Sequence, residues 1–493
     1  MAETVVSFYS LRSLASLPVQ FIVRVYRGGL NTRNIPSLVA NFALNFFPVF
    51  IWLCIFKNAG AIPVDWRPTI HSKAAFLADC FMFGDFTHDL ESQYGERARL
   101  PTQLSWFTSA LFIVVVCTIL PLSLWYYLYY RQRCENNVVD PHAKFFHPTV
   151  QFSPTNRRVL LPFLFFTFTT VGLNFTHLFA GQDESNFTKT KDIFAWVSYV
   201  LLHLLAPIFT AVYLYVFHPP GTLKAFSIAM GMQNIAGVFT HLLLPTAPPW
   251  FIHMYGVNDS KHVSYDQPGY AAGLTRVDSH LGTHLNSKGF HKSPIVFGAV
   301  PSLHSAMAVQ CFLFLITRAT STKAKSETLA NSVANDSDLV PIPDLQPKDS
   351  ADNFIELESL SDLTSSSANS INGGPKPSAQ FGTPVPPAAL KSKWLFVFHH
   401  ALLPRILGTF FPLLQWWSTM YLDHHFRFDL FVGMCYAVTS FLLVNFYYLQ
   451  PKVLKRWCDL RMGAVADDRN EAKTMGMRVF KDTNVEWFFD PFA

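Results

Sequence analysis

The chain has 493 residues, of which 50% are hydrophobic and 14% charged, with 48 phenylalanines. Soluble domains carry nearer about 25% charged residues, so this composition excludes an ordinary soluble globular protein and points to a polytopic membrane protein. The formal net charge of +5 is too small to mark a nucleic-acid-binding surface, and its distribution bears on membrane orientation instead.

The first 30 residues lack an apolar core followed by small residues, so no cleavable signal peptide is expected and the first long apolar run serves as the anchor. A spanning helix needs about 20 largely apolar residues. Eight such stretches are read in chain order, at 37–57, 105–130, 158–180, 193–217, 222–245, 296–317, 402–422 and 427–449. The fifth contains Lys224, Gln233 and His241, and the seventh Arg405 and Gln415, which makes these two the least apolar. Aromatic groups such as Trp125-Tyr126-Tyr127 and Trp416-Trp417 mark span ends at the interface. The expected architecture is therefore all-α, a polytopic membrane protein of about eight transmembrane helices.

Basic residues set the orientation. Arg12, Arg24, Arg27 and Arg33 precede the first span. Arg131, Arg133, Lys144, Arg157 and Arg158 follow the second, and Lys452, Lys455, Arg456 and Arg461 follow the last. With this number of crossings all three groups share one face, which the positive-inside rule makes cytosolic. The expected organisation is a cytosolic segment 1–36, six spans with luminal loops over 37–317 including 246–295, a cytosolic loop 318–397, two spans over 398–449 and a cytosolic tail 450–493. The 318–397 loop is rich in Ser, Asp, Thr and Pro and is expected to be disordered. Seven cysteines, at 54, 80, 117, 134, 311, 435 and 458, show neither CxxC nor metal-ligand spacing, so no disulfide framework is expected.

Two short segments carry the chemistry. One is Gly298-Ala299-Val300-Pro301-Ser302-Leu303-His304-Ser305, and the other is His424-His425-Phe426-Arg427-Phe428-Asp429. Each lies beside an apolar stretch, where an ionisable side chain costs roughly 2.5–3.5 kcal/mol and marks a functional position. The topology places both on the luminal face. His425 and Asp429 are four apart and share one helical face, about 5–6 Å apart at Cβ. His304, His424, His425 and Asp429 could by ligand type form a zinc site, but nucleophilic catalysis accounts for the same residues, and neither a metal nor a cofactor is expected. His424 has no assigned partner and reads as an interfacial histidine.

Pro-Ser-x-His followed by His-x-x-x-Asp resembles the working pair of the phosphatidic-acid-phosphatase type 2 (PAP2) superfamily. That resemblance implies a PAP2-type helical core, with His425 as nucleophile, Asp429 orienting it and His304 as general acid. Ser302 and the amides opening the following helix would cradle phosphate. The flanks Leu244-Pro245-Thr246-Ala247-Pro248-Pro249-Trp250-Phe251 and Gly269-Tyr270-Ala271-Ala272-Gly273-Leu274-Thr275-Arg276-Val277-Asp278 resemble the fungal inositol phosphorylceramide synthase branch. Within that branch, Asn45-Phe46-Phe47-Pro48, Val277-Asp278-Ser279-His280-Leu281-Gly282-Thr283-His284 and Met420-Tyr421-Leu422-Asp423-His424-His425 are most similar to enzymes that use a mannosylated acceptor. What this implies is transfer of inositol phosphate from phosphatidylinositol to mannosyl-inositol-phosphorylceramide, in the Golgi membrane with the site facing the lumen. Ceramide as acceptor is the alternative, and a non-catalytic lipid-binding protein or transporter the alternative of another class. The chain departs from the phosphatase pattern at Thr419, where an Arg would stand six residues before His425, and it lacks the Lys-x6-Arg-Pro motif; the Arg67-Pro68 pair has the wrong spacing from Lys57. Arg276 is the expected phosphate-binding cation, with Lys288 and Lys292 as alternatives and an ion pair to Asp278 as its structural reading.

Overall fold

The computed structural model describes residues 11–83, 110–125, 156–180, 186–317, 402–461 and 465–491, with 107, 383 and 395 singly. Among the described residues the architecture is all-helical, and extended chain pairs only at the bridges His71–Thr246 and Thr246–Gly298. Among the described residues three helices are long and apolar enough to cross a membrane: Ile35–Ala61, Lys189–Phe217 and Arg427–Arg461. Helices Asn156–Phe179, Thr222–Leu243 and Leu402–Tyr421 cover three further expected spans. The 105–130 stretch is described only at 107 and 110–125, and the 318–397 loop, apart from Thr383 and Leu395, lies outside the described residues.

Helix Ile35–Asn58 begins where Asn34 accepts a hydrogen bond from the Ser37 amide (2.9 Å), with a proline in its first turn. It buries none of its residues, as befits a helix that is apolar all round and faces lipid. It packs along Thr222–Leu243, where Gly231 lets it approach: a Cβ there would lie 2.3 Å from the Pro48 Cβ. Such small-residue contacts are how helices associate where no hydrophobic force separates lipid from side chain.

The expected span at 296–317 differs from the structure, because its helix starts only at Leu303. Pro301 lacks an amide hydrogen and keeps Val300 out of helical geometry. Residues 296–302 instead run as a bent, non-helical segment beside Thr246, whose amide donates to Phe297 O (3.0 Å) and whose hydroxyl accepts from the Val300 amide (3.0 Å). This delay places His304 in the first turn of Leu303–Thr317.

That helix is the centre of the core, packed against Lys189–Phe217, Leu402–Tyr421 and Arg427–Val444. Its closest approach is at Gly433, where a Cβ would fall 2.2 Å from the Ser302 carbonyl oxygen. Buried polar groups pair across the contact: Ser305 Oγ donates to Leu430 O (2.6 Å) and accepts from Trp416 Nε1 (2.9 Å).

The 246–295 segment is a small folded unit rather than an open loop. It contains helices Pro249–Tyr255, Leu274–Leu281 and Leu285–His291, with a core of Ala247, Trp250, Phe251, Ile252, Ala272 and Phe297. The C-terminal tail is folded too. Its Met475–Val479 helix packs on Leu11–Leu30, where Arg478 Nε donates to Gly28 O (3.0 Å), and Phe480 stacks on Phe489 at 4.7 Å.

Candidate active site

Just beyond helix Leu402–Tyr421 the chain turns at Asp423, whose φ is +63°, and Arg427–Val444 begins three residues after His424. Asp429, in the first turn and fully buried, accepts from the Phe426 amide (2.9 Å) and from His425 Nδ1 (3.4 Å) with one carboxylate oxygen. An ionised carboxylate only accepts, so beside an ionised Asp429 a neutral His425 ring carries its hydrogen on Nδ1 and its lone pair on Nε2. The neighbouring charge is fully committed. Arg427 is buried against Asp79 (Nη2 to Oδ2 2.8 Å) and Asn174 (3.2 Å), so it ties the motif to helix Ala74–Phe83 and does not face the cavity.

The other half of the site joins it directly. The Ser302 amide donates to Asp429 O (3.0 Å), which binds the two motifs backbone to backbone. Ser302 Oγ accepts from the Ser305 amide (3.3 Å), so this hydroxyl caps the helix and does not line the cavity. The rings of His304 and His425 lie 5.6 Å apart. His304 packs against Tyr199 (4.4 Å) and His203 (4.3 Å), on and just after the π-helical turn Val197–Leu202; such turns occur often at functional sites.

Tyr199 also stacks on His424 (4.8 Å), whose ring stacks on Phe290 (4.9 Å). His424 is thus a buried member of a ring column, which corrects the reading of it as an interfacial residue. Burial pushes this imidazole down to about 3, and the neighbouring His425 adds to the shift. The turn is braced from the 246–295 unit by His253 Nδ1, 2.6 Å from Asp423 Oδ2. Burial raises the Asp423 carboxyl, and the His253 hydrogen bond works against the rise.

These groups open on a cavity of about 190 Å³, walled by His241, His304, His424, His425 and Tyr199, by Trp250, Tyr270, Phe290 and Ser293 of the 246–295 unit, and by Phe56 of the lipid-facing helix. Among the described residues lining it there is no Lys or Arg. Arg276 is held elsewhere: its Nε donates to Asp192 (2.9 Å) and its guanidinium lies 3.8 Å over the Phe187 ring. Its partner is therefore Asp192 and not Asp278, which accepts instead from Thr283, Asn286 and Ser287. Lys288 and Lys292 do not line the cavity either. Arg67 is spent on the Ile62 carbonyl (2.9 Å). Thr419, at the position of the phosphatase Arg, turns its hydroxyl back to Trp416 O (2.9 Å). Among the described residues no group of three or more His, Cys, Asp or Glu side chains is disposed to hold a metal ion. Sequence reading brought His304, His425 and Asp429 together but missed Tyr199, His203 and His241. The one signal for the two histidines was an ionisable ring inside an apolar span.

Residues 169–330 match the family model described as the PAP2 superfamily, which takes in His304 and stops short of His425. The chain is 48% identical to Inositolphosphotransferase 1 of Saccharomyces cerevisiae over 98% of its own length and 99% of that relative's. It is 41% identical to the inositol phosphorylceramide synthase catalytic subunit of Schizosaccharomyces pombe over 28% of this chain and 33% of that one. It is 38% identical to the inositol phosphorylceramide synthase of Candida albicans over 26% of each. No solved structure matches. The chain belongs to the PAP2 superfamily of membrane enzymes, in its inositol phosphorylceramide synthase branch.

Proposed function

We propose that the protein transfers inositol phosphate from phosphatidylinositol to mannosyl-inositol-phosphorylceramide, releasing diacylglycerol. The observation that carries the reading is the convergence of the two motifs: the Ser302 amide bonds Asp429 O, and the His304 and His425 rings stand 5.6 Å apart on one cavity. The near full-length likeness to a protein named inositolphosphotransferase favours the transferase over a phosphatase or a scaffold.

His425 Nε2 attacks phosphorus, the bond to the diacylglycerol oxygen breaks, and His304 gives that oxygen its proton. Inositol phosphate is then bound to His425, whose Nδ1–H leans on Asp429. An acceptor hydroxyl next gives its proton to His304 while its oxygen bonds to phosphorus. The P–N electron pair returns to Nε2, and the enzyme is restored. Water would compete for this intermediate, so a transferase must keep it out until the acceptor arrives. The basic flanks support a site facing the lumen, and we place the protein in the Golgi membrane.

The test is a paired assay. Membranes holding the protein receive labelled phosphatidylinositol with either ceramide or mannosyl-inositol-phosphorylceramide. Label is expected on the mannosylated acceptor. Label on ceramide alone would replace this acceptor assignment, and free inositol phosphate as the sole product would replace transfer by hydrolysis.

A further inference from the structure

The phosphate is anionic, and its charge grows in the transition state, so a site of this kind needs positive charge aimed at it. None of the usual suppliers faces the cavity. Arg276, Arg427 and Arg67 are bound elsewhere, Thr419 replaces the phosphatase Arg, and no Lys or Arg lines the wall among the described residues. The histidines are what remain. Two of them are used in the proposed transfer itself, and the His424 ring, which also lines the cavity, is clamped between Tyr199 and Phe290 with its Nε2 buried.

His241 stands apart from both motifs, on helix Thr222–Leu243, and is 7% exposed. Its Nε2 lies 2.8 Å from the carbonyl oxygen of Pro301, inside the Pro-Ser-x-His segment. A carbonyl only accepts, so Nε2 carries a hydrogen in either charge state and the variable proton belongs to Nδ1. The Nδ1 edge lies against Gly298, itself a lining residue: a Cβ at Gly298 would come within 3.2 Å of His241 Cγ and Nδ1. The ring is therefore held by one nitrogen while the other is turned toward the cavity wall.

We propose that His241 is the cation that holds the phosphate of the donor lipid. In its charged form Nε2–H stays on the Pro301 carbonyl and Nδ1–H donates to a non-bridging phosphate oxygen. Binding of the anion brings the proton with it, because an imidazolium in an apolar wall is stable only beside a negative charge. The same contact couples phosphate occupancy to the segment that carries His304. The proposal rests on the transferase reading for the identity of the ligand, and on the cavity alone for its phosphate chemistry.

The test uses the full chain in detergent. In His425→Ala protein, where no transfer occurs, inorganic phosphate is expected to raise the unfolding temperature, and adding His241→Gln removes that rise. The Gln amide still offers a donor to Pro301 O but cannot be charged. In otherwise native protein, His241→Gln is expected to raise the KM for phosphatidylinositol about tenfold or more and to leave the acceptor KM unchanged. A phosphate-induced rise that survives His241→Gln overturns the proposal, as does a rise lost in Arg276→Ala instead. A phosphate effect without the KM change overturns the assignment to the lipid headgroup and leaves a site for free phosphate. If His241→Gln does not fold, Gly298→Ala crowds the same Nδ1 edge and takes its place in each arm, with unchanged phosphate binding overturning the proposal. Failure of the transferase reading has a separate signature, free inositol phosphate as the sole product of the native protein.

Discussion

The helical floor of the cavity and the 246–295 unit beside it are built by different means. The floor joins distant parts of the chain through close backbone approach at Gly433 and Ser302 and through a run of ring contacts from His203 to Phe290. The 246–295 unit holds itself with a small aromatic core and the hydrogen bonds gathered by Asp278. On the proposed mechanism, reaction chemistry dictates residue types in the floor.

The largest effects are expected where the floor does chemistry. His425→Ala removes the nucleophile and should lower turnover about 10⁴-fold or more, while His304→Ala, which removes the acid, should cost about 10²–10⁴-fold. Both are read as initial rates at equal amounts of folded protein. Equal rates in either variant and the native protein would break the assignment of the floor as the catalytic part.

Gly433→Ala sharpens the structural side of the comparison. Its Cβ would strike the Ser302 carbonyl, and overpacking of this kind costs roughly 1–3 kcal/mol. Both thermal stability and activity should fall, since the Ser302–Asp429 link is displaced. Loss of neither would mean that the motifs are not held by this contact.

Asp278→Asn tests the neighbouring unit alone. The carboxylate accepts from the Asn286 and Ser287 amides (3.2 and 2.9 Å) and from their side chains, and weakening this set should cost about 1–3 kcal/mol locally. Burial works to raise the Asp278 carboxyl, but the hydrogen bonds outweigh it and hold it below its usual value. Its contribution is therefore present above the ordinary carboxylate range and fades as pH falls through the depressed value. Limited proteolysis should cut first in 246–295, while formation of the labelled enzyme persists.

The smallest effect is on acid tolerance. The His424 ring is neutral in the fold, held at about 3 against an ordinary 6.5. Its contribution is complete above the ordinary value and is lost as pH falls toward the depressed one. His424→Phe keeps a ring in the column without a titrating group. It should lose less melting temperature than the native protein between about pH 7 and about pH 5.

The contrast also explains what could be read from sequence. His304, His425 and Asp429 were picked out by residue type and spacing, and the fold brings them together, with His425 Nδ1 3.4 Å from Asp429 and its ring 5.6 Å from that of His304. The helices were legible because lipid demands long apolar runs, yet the delayed start at Leu303 depended on Pro301 and on pairing with Thr246, a contact from another part of the chain. Arg276 was chosen by charge alone, and its engagement by Asp192 is invisible without the fold. His241 and Tyr199 carry no motif, since only tertiary packing brings their rings to the cavity.

The central claim is that His425 carries the inositol phosphate between donor and acceptor. The direct measurement is to incubate purified protein with phosphatidylinositol labelled in its phosphate, quench rapidly and locate the label on the chain. The account predicts an acid-labile label on His425 that is absent in His425→Ala and is discharged when mannosyl-inositol-phosphorylceramide is added. Product formation with no labelled enzyme, or label that persists in His425→Ala, would contradict it.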